Sequence, residues 1–354
     1  MFGWILLVGV AAALVGYTVV AAVAAQRLLQ PRRRPPVSTP AELGLAYEQV
    51  RLQARGQALN IAAWHIPSPW ATRAVVIAHG VGGSRGREFT VGSLELVEQL
   101  MVSGFTVLML DLRGHGESDA ARMTYGIHER RDVLGAVDWL LARGYAPGAI
   151  GVLGLSMGGV AGIGAAGEEP AIGALIVDSA CADFLAMISL HFRRFSKLPM
   201  FVLPGALLIG RLLTGENLAR LRPAELLRAI DRRPTLIIHA EGDRLVPVAH
   251  AHALAQAGDA ELWVTKSTSH LGSFGAEPRA YSERVIQFFR GALAEGQPLP
   301  VRRPARSEVQ MRWARTPHGL RMRWAAAPAV AYRDEAPYED MVDALVHSTA
   351  DTTS

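Results

Sequence analysis

The chain has 354 residues, half of them hydrophobic, and a formal net charge of +4 at pH 7. This charge is small for the length and the arginines form no long stripe, so nucleic acid is not a predicted partner. Cys181 is the single cysteine, which excludes an intramolecular disulfide and a metal site built from cysteines.

The N-terminal segment from residue 2 to residue 25 carries no charge. As a helix it would measure about 36 Å, which exceeds the roughly 30 Å of a bilayer core. We therefore expect residues 1–30 to form a transmembrane anchor. A cleaved signal peptide is the alternative, because residues 22–24 are small enough for a cleavage site. The apolar run is long for that class, however, and no basic region precedes it.

Arginines follow this segment at positions 27, 32, 33 and 34. Because basic residues mark the cytoplasmic side of a membrane helix, we expect a single-pass membrane protein whose remaining chain lies in the cytoplasm. Residues 31–46 are rich in proline and arginine, which predicts an extended linker that keeps the following domain close to the membrane.

Short apolar runs alternate with helical patterns between residues 47 and 296. This alternation predicts one α/β domain with a mostly parallel sheet flanked by helices. The predicted strands are 74–78, 105–110, 150–155, 174–177, 235–240 and 262–264. The predicted helices at 94–101, 130–141 and 282–293 lie between these strands or after the last one.

The first predicted strand runs into a turn with the sequence His79-Gly80-Val81-Gly82-Gly83. Its glycines leave backbone N–H groups exposed at the carboxyl end of the sheet, where they can stabilise a negatively charged oxygen. We therefore assign the N–H of Val81 to an oxyanion hole. A plain structural turn is the alternative.

The segment Gly154-Leu155-Ser156-Met157-Gly158 follows a predicted strand and opens a helical stretch, which is the setting of a nucleophile elbow. The two glycines lack bulk, so strand and helix can approach closely around a strained serine. The pattern alone is weak, and a glycine-rich turn is the alternative. If the elbow forms, Ser156 is the nucleophile and the N–H of Met157 is the second oxyanion donor.

About fifty residues, 181–232, separate two predicted strands where one helix and short loops would suffice, so we predict an inserted helical cap. Within it, residues 198–213 are strongly apolar. Three roles stay open for this segment: an apolar wall over Ser156, part of the core, or a surface that dips into the bilayer. We expect the wall.

Two further polar residues follow later strands. Asp243 comes after the strand 235–240 and precedes a proline-initiated helix, and Glu241 is a competing carboxylate on the same loop. His270 follows the final strand. Serine, aspartate and histidine at successive strand ends occur in the chain order of a hydrolase triad. We therefore predict that Ser156 is the nucleophile, His270 the general base and Asp243 the acid that orients it.

After residue 296 the alternating pattern stops. A basic stretch at 302–323 gives way to an acidic one at 334–351. Such segregated charge predicts that residues 297–354 form a tail that is disordered or loosely docked on the domain.

Taken together, residues 47–296 resemble the α/β hydrolases, and specifically bacterial membrane-anchored hydrolases similar to serine aminopeptidases and esterases. The resemblance rests on five motifs in the expected order: His79-Gly80, the loop 111–118, residues 154–159, Gly242-Asp243 with Val246-Pro247, and Ser269-His270. It implies an eight-stranded, mostly parallel sheet, a cap after the sixth strand, and no cofactor or metal. It also implies that the loop 111–118 is structural, so that His115 is not the general base.

The reaction implied is acyl transfer through a covalent serine intermediate. Hydrolysis of carboxylic esters of lipophilic acyl groups is the preferred interpretation, with a small-molecule or lipid-like ester as substrate and the membrane as partner through the N-terminal helix. A peptidase or thioesterase with the same triad remains open. A non-catalytic binding or scaffold protein on this fold is a third possibility, which the complete set of triad residues disfavours.

Overall fold

A central sheet of eight strands organises the chain, as predicted. The computed structural model describes residues 2–89, 93–230, 233–296, 311–316 and 319–324. The strands are β1 (Glu48–Gln53), β2 (Asn60–Ile66), β3 (Arg73–Ala78), β4 (Phe105–Leu110), β5 (Ile150–Leu155), β6 (Ile172–Asp178), β7 (Thr235–Ala240) and β8 (Glu261–Thr265). Their order in the sheet is β1-β2-β4-β3-β5-β6-β7-β8.

The sheet is parallel from β4 to β8, whereas β1 and β2 join one edge in antiparallel pairs. The central strands β4, β5 and β7 are buried along their whole length, as expected for parallel strands covered on both faces. Ala78 of β3 pairs with Leu110 of β4 and with Gly154 of β5. These three strands therefore end at the same level, and the loops that follow them meet.

Helices cover both faces. They are α1 (Phe2–Leu29), α2 (Ser93–Val102), α3 (Arg130–Leu141), α4 (Met157–Glu168), α5 (Phe184–Ser196), α6 (Val202–Thr214), α7 (Pro223–Arg228), α8 (Ala249–Gly258), α9 (Ser273–Ala276) and α10 (Pro278–Ala292). Apolar residues of α2 and α10 form one core against the sheet. Residues of α3, α4 and α8 form the other.

The predicted cap is present as a helical insertion between β6 and β7. It contains α5, α6, a short 3₁₀ helix (Leu218–Arg220) and α7. Its last predicted residues, 231–232, lie outside the described part of the chain.

Helix α1 is long and apolar enough to cross a membrane by length and composition, a property that membrane spans share with signal sequences. Residues 2–20 are exposed apart from the half-buried Tyr17, whereas Ala21, Ala25 and Leu29 are buried against the domain. The hydroxyl of Tyr17 donates a hydrogen bond of 3.0 Å to the carbonyl of Phe201. The inner end of α1 is thus part of the folded domain.

The predicted linker, residues 31–46, contacts the domain. Arg33 donates a hydrogen bond of 2.6 Å to the carbonyl of Ser118. Pro40 is buried and begins a short 3₁₀ helix, Pro40–Leu43. The proline-rich sequence prevents α1 from continuing, but side chains along it still find partners on the domain.

The tail contains regular structure that the charge pattern did not predict. Two strands, β9 (Met311–Thr316) and β10 (Gly319–Trp324), pair antiparallel, with Thr316 opposite Gly319. Both strands lie within the segment predicted to be disordered or loosely docked. The remaining residues from 297 to 354 lie outside the described part of the chain.

Candidate active site

Ser156 stands at the tip of a sharp turn between β5 and α4. Its φ of 52° and ψ of −114° are strained for a residue with a side chain. A Cβ at Gly154 would collide with the carbonyl of Gly158, and a Cβ at Gly158 would collide with the carbonyl of Ala78. The glycine spacing noted in the sequence is therefore required by the close approach of β5, α4 and β3.

The structure brings Ser156, His270 and Asp243 together. Nε2 of His270 lies 3.0 Å from Oγ of Ser156, and Nδ1 of His270 lies 2.7 Å from Oδ2 of Asp243. In the tautomer with its proton on Nδ1, His270 donates to Asp243 and accepts from the Ser156 hydroxyl. This is the hydrogen-bond chain that activates a serine nucleophile.

The loop after β7 holds Asp243 in place. Its Oδ1 accepts hydrogen bonds from the N–H groups of Leu245 (2.8 Å) and Val246 (2.9 Å), which leaves Oδ2 for His270. Burial acts to raise the pKa of Asp243, but the charge of His270 and the hydrogen bonds from His270 and Val246 hold it below its ordinary value. Glu241 is exposed, whereas Asp243 is buried beside His270. The geometry therefore favours Asp243 over Glu241 as the partner of His270.

Val81 and Met157 both line the cavity that contains Ser156. A Cβ at Gly80 would lie 3.1 Å from the Cβ of Ser156, so the turn after β3 passes directly beside the serine. Within the described part of the chain, neither the N–H of Val81 nor that of Met157 donates a hydrogen bond to a protein group. The cavity that contains Ser156 is thus lined by two residues whose backbone N–H groups are available to a substrate oxygen.

His79 fixes the turn that carries Val81. Its Nδ1 donates a hydrogen bond of 2.7 Å to the carbonyl of Gly80, and its Nε2 accepts one of 3.0 Å from the N–H of Leu112. Complete burial, with a smaller contribution from His115, lowers the pKa of His79 to about 3, so the ring stays neutral. His79 therefore has a structural role.

The loop 111–118 is also structural. Asp111 accepts hydrogen bonds from the N–H groups of Arg85 (2.7 Å) and Glu117 (2.8 Å), and Arg113 pairs with the buried Asp132 at 2.6 Å. His115 is buried against His79, with ring centroids 4.9 Å apart, and does not line the cavity over Ser156. These contacts agree with leaving His115 out of the catalytic set.

Asp178 supports the nucleophile and was not singled out in the sequence. Its carbonyl accepts a hydrogen bond of 2.8 Å from the N–H of Ser156, and its carboxylate accepts one of 2.8 Å from the hydroxyl of Tyr281. Burial raises the pKa of Asp178 to about 6. The sequence feature that could have indicated Asp178 is its position at the carboxyl end of an apolar strand, since Asp243 also follows such a strand.

The cavity over Ser156 has a volume of about 200 Å³, and helix α5 forms much of its wall. Phe184, Ile188 and Phe192 of α5 line it, at the spacing of one helix face. Of the segment 198–213, all of which the structure describes, only Leu198 contributes. The prediction that this segment forms the wall is therefore wrong.

Helix α6 packs along α1 instead of over the serine. A Cβ at Gly205 would lie 2.6 Å from the hydroxyl oxygen of Tyr17, and a Cβ at Gly210 would lie 3.8 Å from Leu29. The two helices run side by side because small residues of α6 admit the side chains of α1. Packing against this partner explains the buried apolar face of α6.

Helix α1 also contributes to the cavity, which sequence analysis did not anticipate. Ala24, Arg27 and Leu28 line it, and so do Arg32 and Arg34 from the segment that follows. The described residues that line the cavity include no Asp or Glu side chain. Its polar edge is therefore cationic.

Other chemistry at this site is limited by the residues present. Burial raises the pKa of the Cys181 thiol to about 12, so this cavity residue stays protonated and is a poor nucleophile at neutral pH. Within the described ranges, no cluster of three or more His, Cys, Asp or Glu side chains is arranged to hold a metal ion.

The chain matches the model of the X-Pro dipeptidyl-peptidase (S15) family over residues 43–274. This range extends from the segment before β1 into α9 and includes Ser156, Asp243 and His270. The uncharacterized protein YqkD of Bacillus subtilis is 27% identical over 234 residues, which cover 65% of this chain and 75% of YqkD.

Solved structures with the same fold include hydrolases. The Pyrococcus furiosus esterase Pf2001 matches with a TM-score of 0.63 and 25% identity, over 75% of this chain and 99% of the esterase. An acylaminoacyl peptidase of Pyrococcus horikoshii matches with a TM-score of 0.54 and 19% identity, over 71% of this chain and 42% of its own. The second likeness concerns the fold alone, and both agree with the α/β-hydrolase fold expected from the motifs.

Proposed function

The chain belongs to the X-Pro dipeptidyl-peptidase (S15) family and is a serine hydrolase of the α/β-hydrolase fold, and from this premise we propose that it hydrolyses carboxylic esters of lipophilic acyl groups. Ser156 is the nucleophile, His270 the general base and Asp243 the acid that orients it. The observation that carries the proposal is the cavity over Ser156, which has apolar walls and no carboxylate among its described lining residues.

In this mechanism Oγ of Ser156 attacks the ester carbonyl carbon while its proton passes to Nε2 of His270. The N–H groups of Val81 and Met157 donate hydrogen bonds to the oxyanion. Collapse of the tetrahedral intermediate breaks the ester C–O bond, and His270 protonates the leaving alcohol. Water, deprotonated by His270, then attacks the acyl-serine, which releases the carboxylic acid and restores the serine hydroxyl.

The lining residues favour an ester over the N-terminus of a peptide. An aminopeptidase binds a substrate ammonium group, and a buried ammonium requires a carboxylate or several acceptors as partners. The cavity offers Arg27, Arg32 and Arg34 instead. These guanidinium groups repel an ammonium and suit a neutral or anionic substrate.

Turnover of p-nitrophenyl esters, compared with X-Pro and single aminoacyl p-nitroanilides, tests this proposal. The assay uses the full chain in detergent, because α1 lines the cavity and its removal would open one wall. We expect ester turnover to exceed anilide turnover. If the X-Pro anilides are preferred, the protein is a peptidase and the ester proposal is wrong.

The acyl specificity of the full chain should rise with chain length until the cavity is filled. Each buried methylene contributes up to about 0.8 kcal/mol, so kcat/KM should increase up to about fourfold per carbon. Met187→Glu should flatten this dependence, because Met187 is half-buried on the cavity side of α5. A p-nitrophenyl ester series from acetate upwards measures the slope.

Leu190→Glu is the matched control for this series. Leu190 lies on the same helix but is 60% exposed and does not line the cavity, so its replacement should leave the slope intact. Equal kcat/KM values for short and medium esters in the unmodified chain would contradict the apolar acyl pocket.

We also propose that α1 anchors the protein in a membrane, with the hydrolase domain in the cytoplasm. Support comes from the arginines that follow α1 and from the exposed apolar surface of residues 2–20. A cytoplasm-dependent reporter fused after Ser354 should be active, and replacing Arg32, Arg33 and Arg34 with glutamine should weaken that orientation. A mature chain that begins near Ala25, or reporter activity outside the cytoplasm, would refute this topology.

A further inference from the structure

The position of the cavity along α1 sets its depth relative to a bilayer. Residues 2–20, the exposed part of α1, measure about 28 Å at 1.5 Å per residue. A bilayer core is about 30 Å thick. The next turns of the same helix carry Ala24, Arg27 and Leu28, which line the cavity over Ser156. If α1 spans the membrane, the cavity lies at the level of the lipid headgroups.

The cap adds apolar surface on the same side. Phe201, Leu208 and Leu212 of the α6 region are 66%, 59% and 77% exposed. Phe201 stacks on Tyr17, with ring centroids 6.2 Å apart, so this surface continues from the exposed part of α1. Large apolar side chains beside a membrane helix are stabilised by burial in the interfacial region. The cap therefore has a surface suited to the bilayer next to the cavity.

Three arginines line the part of the cavity that would lie at the membrane interface. Arg27 lies in the last turn of α1, and Arg32 and Arg34 lie a few residues further along the chain. All three line the cavity that contains Ser156. Burial, and then the neighbouring charge of Arg34, act to lower the pKa of Arg32. Arginine forms bidentate, charge-assisted hydrogen bonds with phosphate. A cluster of this kind beside an apolar acyl pocket matches a lipid with a charged head and an ester-linked chain.

We infer that the substrate is an acyl ester of an anionic membrane phospholipid, which enters from the bilayer beside α1 and places its phosphate among Arg27, Arg32 and Arg34. The acyl chain then occupies the pocket lined by α5, with the ester carbonyl at Ser156. Hydrolysis releases a fatty acid and leaves a lysophospholipid. This inference rests on the ester hydrolase activity proposed above.

The test uses the full chain reconstituted in vesicles of non-hydrolysable diether lipids, with a fixed ratio of phosphatidylglycerol to phosphatidylcholine headgroups. A trace of radiolabelled diacyl phosphatidylglycerol or diacyl phosphatidylcholine with identical acyl chains is added, so the surface charge is the same in both assays. We expect fatty acid release from phosphatidylglycerol to be at least fivefold faster. Equal rates, or faster release from phosphatidylcholine, would overturn the inference.

Replacing both Arg27 and Arg34 with glutamine should reduce this headgroup preference to near unity, whereas replacing both with lysine should retain part of it. Arg33→Gln is the control for charge loss outside the cavity, since it removes one positive charge next to Arg34 at a residue that donates to the carbonyl of Ser118 and does not line the cavity. It should keep the preference. A preference that survives the double glutamine variant would show that these arginines do not select the headgroup.

Two further measurements separate the possible failures. p-Nitrophenyl butyrate turnover without any lipid hydrolysis would overturn the lipid inference and leave the ester hydrolase proposal standing. A chain that hydrolyses neither p-nitrophenyl butyrate nor phospholipid would refute the ester hydrolase proposal. Dihexanoyl phosphatidylglycerol, assayed as a soluble monomer, tests the source of the substrate: a higher kcat/KM for this monomer than for the same headgroup in vesicles would exclude entry from the bilayer.

Discussion

Replacing Ser156 with alanine should abolish ester hydrolysis and covalent labelling by a fluorophosphonate while leaving the thermal transition within a few degrees of the unmodified chain. The expected loss in kcat is on the order of 10⁶-fold, the size measured when the nucleophile of a serine protease is removed. The reason is that the proposed mechanism requires Oγ of Ser156, which lies 3.0 Å from Nε2 of His270, as the attacking atom. The strained backbone at φ 52° is unchanged, because alanine also carries a Cβ.

Cys181→Ala is the control for this variant. Cys181 is a second nucleophilic side chain in the same cavity, but burial raises the pKa of its thiol to about 12. Turnover and labelling should both persist in Cys181→Ala. Ester hydrolysis above a few per cent in Ser156→Ala, measured on protein with an intact thermal transition, would rule out Ser156 as the nucleophile.

Most strands of the sheet are predictable because each is a continuous apolar run. β7 was predicted at its observed bounds, Thr235–Ala240, and β3 within one residue of Arg73–Ala78. Neither β1 nor β2 was predicted: β1, with the sequence EQVRLQ, is a largely unburied edge strand, whereas β2, with the sequence NIAAWHI, is mostly buried and pairs antiparallel with both of its neighbours. A parallel strand buried on both faces has a stronger sequence signal than an edge strand exposed on one.

The juxtaposition of Ser156, Asp243 and His270 was also predictable, because parallel strands present their carboxyl ends at one edge of the sheet. Asp178 could have been found by the same argument. The roles of α5 and α6 were not predictable, since both are apolar. The partner of α6 is α1, and the hydrogen bond from Tyr17 to Phe201 spans 184 positions of chain. Hydrophobicity indicates that a surface is covered, but not which element covers it.

The alanines near the C-terminal end of α1 are a sequence feature that indicates packing against protein. Ala21, Ala24 and Ala25 recur at the spacing of one helix face and are buried, while the larger apolar residues between positions 2 and 20 are exposed apart from Tyr17. A helix that only crosses lipid needs no such stripe of small residues, whereas close helix packing favours it. The pattern therefore indicated that the inner end of α1 packs against protein.

Asp243→Asn should reduce kcat on the order of 10⁴-fold with little change in KM, as in the corresponding protease variant. An asparagine at this position can still accept hydrogen bonds from the N–H groups of Leu245 and Val246, so the loop after β7 should keep its conformation. The side-chain amide would then donate towards Nδ1 of His270. This stabilises the tautomer with its proton on Nε2, which cannot accept the proton of Ser156.

The comparison with Glu241→Gln identifies which carboxylate acts. Glu241 is exposed, whereas Oδ2 of Asp243 lies 2.7 Å from Nδ1 of His270, so Glu241→Gln should retain nearly full turnover. Steady-state kinetics on a p-nitrophenyl ester, with circular dichroism to establish that both variants are folded, measure the difference. A larger loss in Glu241→Gln than in Asp243→Asn would mean that the orienting acid is Glu241, and a loss below about tenfold in both would mean that His270 acts without a carboxylate partner.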